Sequence, residues 1–71
     1  MPPPPYQEAV WTTEDELAYL RGLRRDGKVV VLRAYVRVAH HRRWFGPGMR
    51  VNAGMVILAA RDMLAEMERE A

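Results

Sequence analysis

The chain has no cysteine and no serine. Without thiols it can form no disulfide and no thiolate metal site, and its redox compartment goes unreported. The commonest hydroxyl nucleophile and the thiol nucleophile are both missing. Its five glycines form no phosphate-binding loop. No apolar run approaches the ~20 residues needed to cross a bilayer. The N-terminus lacks the basic-then-apolar order of a signal peptide. We therefore expect a cytoplasmic, non-catalytic protein with no membrane contact, no cofactor and no small-molecule substrate. At 71 residues it holds one small domain. Domains of this size bury a limited share of their surface, and a partner or a second copy often completes them. A hydrophobic content of 49% nevertheless calls for a packed core and excludes a disordered polycation.

What is present is charge sorted by position. Residues 1–20 carry four acids and no Lys or Arg, residues 21–50 carry nine bases against Asp26, and residues 51–71 carry two bases against four acids. The segment charges of −4, +8 and −2 hide inside a net charge of +2. Such a basic centre raises a local potential that attracts anions.

Residues 1–10 form an extended tail, because Pro2, Pro3, Pro4 and Pro5 fix φ and remove four donors. Residues 11–71 form the domain. Thr13-Glu14-Asp15-Glu16 has the form of a capping box, with the Thr13 hydroxyl accepting from the Glu16 amide. Acids at that end and Arg21, Arg24 and Arg25 at the other suit the helix dipole. Asp26-Gly27 is a stop. The pattern predicts a first helix over about 14–25, with Trp11 folded back on it as a core anchor. Residues 28–44 fit two templates. As a helix, Val31, Leu32, Tyr35, Val36, Val38 and Ala39 fill an apolar arc. As a strand over about 29–38, Arg33, Tyr35 and Arg37 share one face. The ~17-residue length favours helix. Phe45-Gly46-Pro47-Gly48 breaks the chain. A last helix over about 52–70 has Asn52 as N-cap and buries Val56, Ile57, Ala60, Met63, Leu64 and Met67. The expected fold is an all-α three-helix unit; the alternative is an α+β winged arrangement.

The candidate site follows from the second helix. Arg33, Arg37, His40, His41 and Trp44 share a stripe at helical spacing. Guanidinium groups there can bind phosphate or carboxylate bidentately, and Trp44 can stack on a base. Arg42 and Arg43 fall at the last turn, where they cap the dipole or position phosphates. The bland alternative is a solvated face whose arginines pair with acids of the other helices. His40 and His41 point apart, and no third His exists, so we expect no metal site. Phe45, Met55 and Leu58 stay off the main apolar face and suit a subunit or partner contact.

Trp11-Thr12-Thr13-Glu14-Asp15-Glu16-Leu17 with Tyr19-Leu20, then Leu32-Arg33-Ala34-Tyr35, Arg43-Trp44, Val56, Ala60 and Met63-Leu64, resembles short uncharacterised proteins of bacteriophages and prophages. The resemblance covers most of residues 11–64. Here Phe45 stands between Trp44 and Gly46, where the pattern has Gly directly after Trp. The resemblance implies a small helical accessory protein of the host cytoplasm and supplies no site residues. We expect a binding module for an anionic surface, with DNA first and an acidic protein surface second. The competing expectation is a protein-interaction module, either a modulator of a host protein or a self-associating structural or virion component.

Overall fold

A computed structural model describes residues 10–39 and 49–70. Three helices make up the fold: α1 (Thr13–Arg25), α2 (Val29–Ala39) and α3 (Ala53–Glu70). Among the described residues there is no strand, so the winged alternative falls. The β-branched run Val29-Val30-Val31 is helical because Leu32, Tyr35 and Ala39 recur at helical spacing and reach one core. Tertiary burial outweighs the few tenths of a kcal/mol by which β-branched residues disfavour helix.

The start of α1 sits one residue earlier than the sequence pattern suggests. Thr12 is the N-cap: its hydroxyl accepts from the Asp15 amide, and the Asp15 carboxylate accepts from the Thr12 amide at 2.9 Å. Thr13 and Glu16 are not the capping pair. Thr13 reaches instead to α3, where its hydroxyl accepts from the Asn52 amide at 2.8 Å. Glu16 is then free to turn inward. Gly27 ends the helix at φ +69°, with Lys28 N–H donating to Leu23 and Gly27 N–H to Arg24. That is a Schellman turn, and it needs the left-handed conformation that glycine adopts without strain.

The tight turn at residues 26–28 sends α2 back along α1. The Arg50 amide donates to the Trp11 carbonyl, and Thr12 and Arg50 form a parallel bridge. At the far end, Arg24 of α1 meets Glu70 of α3. Hence α1 and α3 run side by side and α2 runs against both. Asn52 caps α3 as expected, its side-chain oxygen accepting from the Met55 amide.

Leu20, Leu32, Tyr35, Ala39, Val56 and Ala60 form the core. Around it pack Leu17, Leu23, Val36, Ile57, Met63, Leu64 and Met67. Fully burying a Leu or Val contributes about 1.5–3 kcal/mol. Three expected core members are displaced. Val31 and Val38 lie on the outer side of α2, and Trp11 is 43% exposed.

Candidate functional site

The geometry of α2 decides which surface is offered. One side holds Leu32, Tyr35 and Ala39 in the core. The opposite side exposes Val30, Val31, Arg33, Ala34, Arg37 and Val38. A shallow depression is lined by Val30, Arg33, Ala34 and Arg37. A second runs between α1 and α2, lined by Tyr19, Val31, Ala34, Tyr35 and Val38. The outer face is therefore part cationic and part apolar, with Val30 69% exposed.

The basic centre is partly neutralised from within. The Arg33 guanidinium donates to Glu68 at 3.1 Å. Arg24 lies 3.3 Å from Glu70 and 3.6 Å from Glu66. The hydrogen bond to Glu70 and that charge hold the Arg24 guanidinium above its ordinary value. Arg25 pairs with its neighbour Asp26. These pairs are exposed, so water and salt weaken them. Among the described residues, Arg37 has no ion-pair partner. Thus the two arginines expected to act together differ: Arg33 shares its charge with α3, and Arg37 does not. His40, His41, Arg42, Arg43, Trp44 and Phe45 lie outside the described residues. Met55 and Leu58 are exposed on α3, as their spacing predicts.

A second constellation escaped the sequence reading. Glu16 is 4% exposed. Its carboxylate accepts from the Trp11 indole N–H at 2.8 Å and from the Tyr35 hydroxyl at 2.5 Å. Burial, then the hydrogen bond and charge of Glu16, push the Tyr35 phenol far above its ordinary range. The Tyr19 and Tyr35 rings meet at 6.4 Å and 49°, a tilted aromatic contact. Beside them Trp11, Glu16, Tyr19 and Met49 line an open hollow of about 390 Å³. The helical spacing of Glu16 to Leu20 and Leu23 was the available signal, since it puts the acid on the apolar stripe of α1.

No group of three or more His, Asp or Glu side chains that could hold a metal occurs among the described residues. None of the described helices is long and apolar enough to cross a membrane. No protein-family model matches the chain, and neither curated proteins nor solved structures give a significant match.

Proposed function

We propose that this chain is a non-catalytic binding module that seats an acidic protein surface on the outward face of α2. The observation that carries it is the exposed set Val30, Val31, Ala34 and Val38 flanked by Arg33 and Arg37. An apolar stripe gains from being covered, about 25 cal/mol per Å² removed from water. The arginines beside it select a partner whose own apolar residues are bordered by carboxylates.

Duplex DNA is the second reading, and the +8 segment with Trp44 favours it. The exposed Val30, Val31 and Val38 weigh against it, because a phosphate backbone leaves an apolar stripe uncovered. Fluorescence anisotropy separates the two. The probes are a labelled peptide with Leu and Glu at helical spacing and a labelled duplex, each at two salt concentrations. The expected result is peptide binding that weakens on Val30→Glu and on Arg37→Glu. Tighter duplex binding, steep in salt and indifferent to Val30→Glu, would overturn the acidic-protein reading in favour of DNA. Binding of neither probe at low salt would overturn both.

A further inference from the structure

Among the described residues, Glu16 has no cation beside it. Its partners are the Trp11 indole and the Tyr35 hydroxyl, both neutral. Buried carboxylates are normally matched by an opposite charge, because neutral donors restore only part of the lost hydration. Glu16 is one of the described residues that line the hollow, with Trp11, Tyr19 and Met49. Both rings are nearly half exposed, so they are available to a visitor.

We propose that this hollow binds a methylated ammonium group. Three features argue for that chemistry. Indole and phenol faces attract cations, Trp most strongly. The thioether of Met49 is polarisable and packs well against methyl groups. Glu16 supplies the negative charge, held in place by its two hydrogen bonds. A quaternary or methylated ammonium is weakly hydrated and apolar at its surface, so it loses little on entering a mainly apolar hollow. A bare ammonium is strongly hydrated and loses more. The volume of about 390 Å³ leaves room for a trimethylammonium head and part of the chain that carries it. Tyr19 also borders the depression beside Val31 and Val38, but Val30, Arg33 and Arg37 do not line this hollow, so the cation site does not rest on the proposed α2 surface.

The same head group can come from a small choline-type molecule or from a methylated lysine side chain. The test follows the indole N–H resonance of Trp11, assigned by comparison with Trp44→Phe, while the full chain is titrated. The probes are choline, its uncharged isostere 3,3-dimethylbutanol, a trimethyllysine peptide and the same peptide with unmodified lysine. A saturable shift with choline or the trimethyllysine peptide is expected, with the uncharged isostere about tenfold weaker. Choline binding without peptide binding assigns the small-molecule source; peptide binding at least as tight assigns the side chain. Tyr19→Ala, at an exposed position, should cost about tenfold while helical content is kept. Glu16→Gln should reduce the preference for the charged probe, leaving the part that the ring faces supply. No saturable shift with either charged probe, or equal affinity for the isostere, overturns the proposal.

Discussion

Glu16 is the buried charged side chain among the described residues, and two predictions rest on its partner Tyr35. Tyr35→Phe keeps the ring and removes the donor, leaving one carboxylate oxygen facing an apolar edge. Leaving such a group unsatisfied costs about 1–3 kcal/mol, to be read from urea denaturation. A stability unchanged within error would contradict the burial. The second prediction concerns pH. The folded phenol titrates above its ordinary value because burial, and then Glu16, favour the neutral form. A group whose folded value is raised contributes stability that is complete below the unfolded value, near 10. That stability is lost as pH rises beyond it. Unfolding free energy should therefore fall as pH rises above about 10, and less steeply in Tyr35→Phe. Equal slopes would remove Tyr35 as the cause. From sequence, Glu16 read as one more acid at a helix start. Its spacing to Leu20 hinted otherwise, but its hydrogen-bond partner lies 19 positions away on another helix. Only the pairing of α1 with α2 brings the two together.

The helices themselves follow largely from local chemistry. Gly27, Asn52 and the apolar spacing of α3 read as they fold. The first cap did not, because Thr12 and Thr13 are equivalent in a sequence pattern. The tie from Thr13 to Asn52, a contact across 39 positions, decides between them. Thr12→Ala should cost about 1 kcal/mol of stability through loss of the cap. Gly27→Ala meets no atom within 4 Å, so its cost is backbone strain alone, about 1–2 kcal/mol. Thermal denaturation followed by circular dichroism checks both; a Gly27→Ala protein as stable as the parent would contradict the turn. The choice of helix for residues 29–39 was legible from length. Which side of that helix faces out was not, since valines stand on both sides and only the positions of α1 and α3 decide which are covered.

Across the whole molecule, sorted charge does two things. Acids at the end of α3 take up Arg24 and Arg33 from the basic centre. Arg37 remains beside exposed valines. Pairs as exposed as Arg33–Glu68 contribute about 0–1 kcal/mol, so their removal should barely change stability. Glu68→Gln is expected to leave unfolding unchanged while tightening an acidic peptide, because Arg33 is released to it. Weaker binding in that variant would assign Glu68 to the contact itself. Sequence alone showed the concentration of charge but not its division between internal and external use, since that division depends on which helix ends meet. The most direct test of the proposed α2 surface is a backbone-amide NMR titration of the full chain with the Leu/Glu peptide at moderate salt. The predicted result is that the largest shifts fall on Val30, Val31, Ala34, Arg37 and Val38. Largest shifts on the exposed side of α3 around Met55 and Leu58, or no shifts on α2 at saturation, would contradict it.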